Sequence, residues 1–302
     1  MVSPDVTRTT PEPGRRRHGR PRTVQVWRAQ RLATRAGLYA IMLVGAVAML
    51  VPLLWLVSTS LKSPHEVFRI PIQWFPEVLR WDNYTRLFEV TPFGRYIANT
   101  VLITVIGVIG NLVGSSIAAY AFARMRFRGR DTMFFIMIAT MMVPIWATII
   151  PSFIIFSRIG WVDTYLPILV PAFFAVPFST FLLRQFFLGI PVEIEEAARI
   201  DGASTLRIFL TIVLPMSKPA LLTVVIFSFL AHWEDFLRPL IYLNSQELYP
   251  VSLGIANFIG TQQSELWLTM AAATLALLPP IAVFVIAQKW FIQGIVVSGV
   301  KG

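Results

Sequence analysis

Two pairs of neighbouring carboxylates are the residues of this 302-residue chain that could carry out acid–base chemistry: Glu195 with Glu196, and Glu234 with Asp235. A general acid and a general base must both reach one reacting group. Neighbouring side chains on a helix point in different directions, and no nucleophile accompanies either pair. Both pairs therefore favour roles in binding or in structure, and we expect this chain not to be an enzyme.

Metal, redox and nucleotide chemistry find little support in the residue types. Cysteine is absent, and the three histidines, His18, His65 and His232, are too far apart in the sequence to show a metal-ligand spacing. No glycine-rich run ends in Gly-Lys-Ser or Gly-Lys-Thr, the sequence of a phosphate-binding loop. We expect no cofactor on this chain; if ATP is used, a partner binds it.

The elements that position these carboxylates are apolar. The chain is 56% hydrophobic with a mean hydropathy of +0.66, which indicates a membrane protein. The first apolar run holds about 23 residues, or roughly 34 Å of helix, enough to cross a bilayer. The sequence predicts an all-α membrane protein with six spans, at Gly37–Thr59, Ile97–Ala121, Met133–Phe156, Thr164–Leu188, Ala220–Leu243 and Trp267–Gln288.

The basic residues predict the orientation of these spans. Residues 1–35 hold nine arginines against two acids, cannot bury a core, and are predicted to form a disordered basic tail ahead of a membrane domain at 36–302. With this tail inside the cell, 19 of the 26 Lys and Arg residues fall on cytoplasmic segments. Both termini are therefore expected in the cytoplasm of a multi-pass plasma-membrane protein. We expect the basic residues of the tail to contact membrane lipid and not nucleic acid.

The first carboxylate pair lies on a short helix between the fourth and fifth spans, in a loop at 189–219. Pro191 starts this helix, and Gly202 supplies a left-handed stop. Glu195 stands four residues before Arg199, in the order that stabilises a helix. A second short helix follows and ends at Pro215. The pattern predicts two short helices that meet at a tight corner in the cytoplasm.

This loop resembles the cytoplasmic coupling loop of permease subunits in binding-protein-dependent ABC importers. The resemblance rests on Glu196-Ala-Ala, on Gly202 after three intervening residues, and on Leu214-Pro215 at the end of the loop. The longer wording Glu-Ala-Ala-Arg-Ile-Asp-Gly-Ala-Ser is similar to the carbohydrate branch, and within it to the maltose-type inner permease subunit. The resemblance to this family covers nearly all of residues 37–302.

The resemblance implies an ATP-driven sugar importer built from several chains. The partners would be a second homologous permease, two ATP-binding subunits that hold ATP and magnesium, an extracytoplasmic solute-binding protein and the sugar. The ATPase-coupling residues would be Glu195, Glu196, Ala197, Ala198, Asp201, Gly202, Leu214 and Pro215. In this role Gly202 fixes the corner, the two alanines permit close docking, and the two glutamates offer charges to the ATPase. Gln293, Gly294, Gly299 and Lys301 would form a C-terminal contact with the ATPase.

The second carboxylate pair lies in the fifth predicted span. Glu234 is about 21 Å along that helix, where ionisable groups face a bundle interior or water. Trp233, Glu234 and Asp235 are therefore candidates for the substrate pathway. Equally, these charges could be solvated at an outer funnel, or Glu234 could pair with Arg238.

Two further patterns concern helix packing. Gly110, Gly114 and Ala118 repeat at a spacing of four, which lets helix backbones approach closely, within this chain or against a second permease. Pro167, Pro171 and Pro177 predict a bent or broken fourth span, whose freed carbonyls could line a cavity. The alternative functions are an ion-gradient-driven secondary transporter of a small polar solute, which would carry acids in several spans, and a membrane scaffold.

Overall fold

A computed structural model of the chain describes residues 22–261 and 265–299, with side chains for residues 34–260 and 265–288. The described part contains helices and no strand, which confirms the all-α prediction. It divides into two compact units, with the boundary between Leu54 and Trp55; the second unit, which begins at Trp55, is called unit 55–302 below. The elements in chain order are α1 Arg22–Ser60, α2 Pro64–Val67, α3 Asp82–Val90, α4 Phe93–Arg124, α5 Arg130–Ala139, a 3-10 turn Thr140–Met142, α6 Ile145–Arg158, α7 Leu166–Leu169, a 3-10 turn Val170–Phe173, α8 Pro177–Leu188, α9 Val192–Ile200, α10 Thr205–Ile208, a π-helical turn Phe209–Val213, α11 Leu214–Met216, α12 Lys218–Trp233, α13 Leu237–Tyr242, a 3-10 turn Gln246–Leu248, α14 Val251–Thr261 and α15 Leu266–Gly299.

Four stretches are long and apolar enough to cross a membrane: Thr34–Ser60, Phe93–Arg124, Leu166–Leu188 and Leu266–Gln288. Two further pairs of helices pass the same test together but are bent, α5–α6 by 103° and α10–α12 by 80°. The described residues thus hold four to six spans, and the predicted six is reached when each bent pair counts as one. The first helix begins at Arg22, inside the stretch assigned to the basic tail.

Prolines account for two of the breaks. Val143 is extended because a proline follows it, and α6 starts anew after Pro144. The predicted break of the fourth span is confirmed, because a 3-10 turn and an extended Phe174 separate α7 from α8. This break packs against α4, where the Ser115 hydroxyl accepts the Val176 N–H at 3.3 Å.

The glycine stripe of α4 serves packing within the chain. A Cβ on Gly114 would lie 2.3 Å from the backbone oxygen of Phe173, and one on Gly110 would lie 2.7 Å from the ring of the same residue. Only hydrogen at these positions lets the broken segment lie on α4. The described side chains therefore place the stripe against the fourth span of the same chain.

The predicted fifth span, Ala220–Leu243, is wrong at its C-terminal end. The helix α12 stops at Trp233, and α13 starts at Leu237. Pro239 explains the break, because it has no N–H to donate to the carbonyl of Asp235 four residues earlier. The Ser252 hydroxyl donates to that carbonyl instead, at 2.7 Å.

At the end of unit 55–302 where α12 stops, Asp163 ties two loops together. Its backbone is left-handed, with φ of 61°, and its N–H donates to the carbonyl of Tyr242 at 2.7 Å. The carboxylate accepts the N–H groups of Asn244 and Ser245 at 2.9 and 2.8 Å, and also the Ser245 hydroxyl. The loop after α6 is thus fixed to the loop after α13.

Candidate functional site

The site lies at the opposite end of the same unit, where α9 meets the end of α4. Glu195 is 1% exposed, and its carboxylate Oε1 lies 2.8 Å from Nε of Arg124, the last residue of α4. The guanidinium also donates through Nη2 to the backbone oxygen of Phe187 at 2.7 Å and to that of Ile190. One arginine therefore binds the carboxylate of α9 and two carbonyls at the end of α8.

Two more groups approach the same carboxylate. The Tyr120 hydroxyl donates to Glu195 Oε2 at 3.3 Å, one helical turn before Arg124 on α4. Arg199 Nη2 is 3.9 Å from that oxygen, and its side chain is 52% exposed. The predicted Glu195–Arg199 pair is present, but it is the longer and more solvated contact. Arg124 is the main partner of Glu195, whereas the sequence had pointed only to Arg199.

The expectation that Glu195 offers its charge to a partner protein is wrong, because the side chain is buried and paired within the chain. A buried carboxylate is tolerated where an opposite charge and hydrogen bonds replace its water. No local pattern could reveal this, since the third and fourth predicted spans lie between Arg124 and Glu195 in the sequence. Glu196 and Asp201, in contrast, are exposed as expected.

The predicted corner after α9 is present. Gly202 has φ of +79°, Ala203 N–H donates to Ala198 O at 2.9 Å, and Gly202 N–H donates to Arg199 O at 3.0 Å. These two bonds form a Schellman motif, the usual left-handed end of a helix. Ser204 then caps α10, with its hydroxyl accepting the Arg207 N–H at 3.3 Å.

The two alanines of α9 face different ways. Ala197 is exposed, as docking by a partner would require. Ala198 packs instead with Ala203 against a buried cluster, which corrects its assignment to the docking face. The buried members are contributed by α4, α8 and the turn after it, the segment Thr205–Met216 and α12: Ala119, Tyr120, Ala123, Leu183, Phe187, Ile190, Ile208, Phe209, Val213, Ala220 and Val224.

The rest of the loop is held by the same cluster. Leu214 packs against it, and Pro215 is exposed. Because Pro215 cannot donate to a carbonyl four residues earlier, the helix widens there into a π turn, in which Leu214 N–H donates to Phe209 O. The predicted second short helix is therefore one interrupted segment, Thr205–Met216, that turns directly into α12.

An exposed apolar surface covers the outside of this corner. Ile200 is 87% exposed. Three more large apolar side chains, on α9 and on the segment Thr205–Met216, are also exposed: Val192, Leu206 and Leu210. Exposed clusters of this kind on a loop between spans are typical of protein–protein contacts. The predicted coupling residues did not include Ile200.

The predicted pathway residues lie at the other end of α12. Trp233 is buried, and its indole N–H donates to Ala276 O at 3.0 Å, so that it holds α12 to α15. Asp235 pairs with Arg238, with Oδ2 2.6 Å from Nε. The alternative in which Glu234 pairs with Arg238 is therefore wrong, because Asp235 occupies that guanidinium. Glu234 is exposed just beyond the end of α12.

Trp233 also borders an apolar cavity of about 440 Å³ between α4, α12 and α15. Its walls include Thr104, Val105, Phe229 and Pro279. The cavity does not include Glu234 or Asp235, so the structure does not gather the three predicted pathway residues into one pocket.

The predicted C-terminal contact with the ATPase falls largely outside the described side chains. Helix α15 runs through Gln293 and Gly294 to Gly299, with side chains described only to residue 288. Lys301 lies outside the described residues. The role of these four positions stays a prediction.

The spans and the loop corner define a multi-pass α-helical membrane protein. Residues 110–297 match the family described as the binding-protein-dependent transport system inner membrane component. The chain belongs to this family, which confirms the resemblance and the predicted function of a transport permease subunit over an ion-driven carrier.

Curated relatives and solved structures agree with this assignment. The arabinooligosaccharides transport system permease protein AraQ of Halalkalibacterium halodurans is 32% identical over 83% of this chain and 91% of its own. The sn-glycerol-3-phosphate transport system permease protein UgpE of Pectobacterium atrosepticum is 33% identical over 86% of this chain and 95% of its own. A chain of a bacterial ABC transporter involved in the import of the acidic polysaccharide alginate superposes with a TM-score of 0.77 and 27% identity, covering 87% of this chain and 98% of that one. A second alginate transporter structure, solved with a periplasmic protein bound to an alginate pentasaccharide, has a TM-score of 0.59 at 17% identity and shares the fold, over 85% of this chain and 93% of that one.

Proposed function

We propose that this chain is one of two permease subunits of an ATP-driven sugar importer, and that the corner from α9 to α10 docks on an ATP-binding subunit in the cytoplasm. ATP and magnesium are bound by a dimer of that subunit. A solute-binding protein delivers the sugar on the outer side, where Asp163 joins the loops. Both termini are cytoplasmic.

The observation that carries the proposal is the exposure of Ile200 at a corner that is otherwise tightly held. A loop needed only to connect two spans would bury its large apolar side chains or replace them with polar ones. Here Glu195, Ala198 and Leu214 face inwards and fix the corner, while Glu196, Ala197 and Ile200 remain outside. The corner thus presents a rigid, partly apolar surface that suits a cleft on another protein.

The mechanism follows from the way the corner is attached. When the ATP-binding dimer closes, its clefts carry α9 as a rigid body. The Arg124–Glu195 pair passes this displacement to α4, and the carbonyl bonds of Arg124 pass it to the end of α8. Since α4 and α8 pack on each other and on α12, the spans switch access from the outer side to the inner side as a unit.

A di- or oligosaccharide or a related polyol is the proposed cargo because the relatives are named for arabino-oligosaccharides, sn-glycerol-3-phosphate and alginate, each of which carries more than one hydroxyl group. Glu234 is the residue of this chain that we propose to meet the cargo, since it is exposed at the break after α12 and Asp235 is engaged by Arg238. Trp233 acts by holding α12 against α15.

The test is purification of the chain from its native membrane in mild detergent, with mass spectrometry of the proteins that accompany it. The proposal expects an ATP-binding subunit and a second permease, and expects Ile200→Ser to lose the ATP-binding subunit while keeping the permease. Ile159→Ser, an exposed isoleucine at the other end of the unit, is the matched control. Retention of the ATP-binding subunit by Ile200→Ser would contradict the docking surface.

A further inference from the structure

The segment between α1 and α3 forms a closed loop that the transport function does not explain. Its ends meet where the Arg80 N–H donates to Leu61 O at 2.9 Å, and inside it the Glu66 carboxylate accepts the Glu77 N–H at 2.7 Å. Val67 packs against Phe258 and its buried neighbours on α14 and α15. Residues 61–80 are therefore a self-contained loop with a fixed base.

The far side of this loop is apolar and exposed. Phe75 is 82% exposed and Ile70 is 91% exposed. A soluble loop with so many large apolar groups in contact with water would be unusual. The exposed apolar side chains of this tip are Phe68, Ile70, Ile72, Trp74, Phe75 and Val78.

Three contacts fix the depth of the tip relative to α1. The Trp74 ring meets the Trp55 ring edge to face at 5.4 Å between centroids. The Ser58 hydroxyl donates to Trp74 O at 2.5 Å. The buried Lys62 ammonium donates to Gln73 O at 2.6 Å and lies 3.9 Å from the centre of the Trp55 ring.

These contacts turn the loop back beside residues 55–60, the last turns of α1. Trp55 lies five residues before the end of α1 at Ser60, which is about 7 Å of helix. Residue 74 is thus level with the last turns of a stretch, Thr34–Ser60, that is long and apolar enough to cross a membrane. Tryptophan and neighbouring aromatic groups at that level are enriched at membrane–water interfaces.

We propose that the tip at residues 68–78 inserts into the lipid of the membrane interface, beside α1, and anchors this end of the permease in the bilayer. The lipid acyl boundary receives Ile72, Trp74 and Phe75, while Arg69 and Glu77, which pair at 2.7 Å, remain at the headgroup level. The anchor depends only on the chain being a membrane protein and is independent of its cargo or of its ATP-binding partner.

The absence of cysteine from the chain makes a depth measurement direct. Single cysteines replace Phe75 and, as a matched exposed control on α3, Thr85. The assembled transporter is labelled with a nitroxide and reconstituted in vesicles of phosphatidylethanolamine and phosphatidylglycerol. Collision rates with oxygen, which concentrates in lipid, and with a water-soluble nickel chelate are then measured by electron paramagnetic resonance.

The proposal expects the ratio of oxygen to nickel collisions to be several-fold higher at residue 75 than at residue 85. Equal ratios at the two positions would overturn it by placing the tip in water. A label at 75 that is immobile and shielded from both reagents would also overturn it, because a protein would then cover the tip. Ile72→Cys repeats the measurement if the first variant does not assemble.

Discussion

The guanidinium of Arg124 and the carboxylate of Glu195 lie 2.8 Å apart in a nearly water-free setting, and they join the last residue of a spanning helix to a short loop helix. The same arginine closes the end of α8 through two carbonyls. Three elements therefore meet at one charged group.

Arg124→Gln should destabilise the joint, because it leaves the Glu195 carboxylate buried without its counter-charge. Breaking a buried pair in this way costs about 3–5 kcal/mol. Thermal unfolding of the purified transporter, together with sugar uptake per ATP hydrolysed, measures the effect. Arg199→Gln is the control, since its exposed contact contributes about 0–1 kcal/mol. Equal losses in the two variants would refute the ranking of the two arginines.

Arg124→Lys should not restore the joint. An ammonium is a point charge, whereas the planar guanidinium donates hydrogen bonds to two carbonyls and at the same time holds its charge 2.8 Å from the Glu195 carboxylate. We expect uptake per ATP to stay close to that of Arg124→Gln, even where expression recovers. Full coupling in the lysine variant would show that charge alone suffices.

Gly202→Ala should weaken the corner through backbone strain alone. A Cβ at residue 202 meets no atom within 4 Å, but φ is +79°, a region that costs an L-residue about 1–2 kcal/mol. Gly202→Asn should recover part of the loss, because asparagine tolerates the left-handed region. Binding of the ATP-binding subunit and its coupled hydrolysis are the readouts. Identical behaviour of the alanine and asparagine variants would argue against strain as the cause.

Gly114→Ala should disrupt the packing of the broken span on α4. Its Cβ would stand 2.3 Å from the backbone oxygen of Phe173, which cannot move as a flexible side chain can. Overpacking of this kind costs about 1–3 kcal/mol or more. Gly94→Ala, also on α4, meets the Phe88 ring at an ordinary 3.7 Å and is the control. Thermal unfolding in detergent compares the two, and an unchanged midpoint for Gly114→Ala would disprove the contact.

Glu234→Ala should lower sugar uptake while leaving assembly intact, since its exposed side chain sits at the break after α12. Asp235→Ala should instead reduce stability, because it removes the 2.6 Å pair with Arg238. Uptake and size-exclusion profiles of both variants separate the two roles. Dissociation of the Glu234→Ala transporter would assign that residue to structure.

Acid should loosen the loops joined by Asp163. The Ser245 hydroxyl, followed by the N–H groups of Ser245 and Asn244, holds the pKa of Asp163 below its ordinary 3.8. When the pKa of a carboxylate is lower in the folded state than in the unfolded state, its charge stabilises the fold. This stabilisation is complete when the pH is above the unfolded-state pKa, and it is lost as the pH falls through the folded-state pKa. The unfolding midpoint of the native chain should therefore exceed that of Asp163→Asn at pH 7, and the difference should shrink in acid. A difference that does not change with pH would exclude the charge of Asp163 as its source.

The sequence by itself determined the features that depend on a few adjacent residues. Apolar runs predicted the spans, because the hydropathy of one continuous segment is enough to identify a helix that can cross a membrane. Gly202 predicted the left-handed corner and Pro167, Pro171 and Pro177 the broken span, because these residues restrict their own backbone. The amino-acid sequence of the loop also identified the family.

Only the tertiary structure decided which charges are partners and where helices end. Glu195 looks like an exposed acid in sequence, yet Arg124 from another span buries it. Helix α12 stops at Trp233 because Ser252 can satisfy the carbonyl that Pro239 leaves free. Two further features depend on segments that folding brings together. Ala198 faces the buried cluster and not the surface, and Trp74 turns back to the level of Trp55. Such contacts join residues distant in the chain, and no local spacing encodes them.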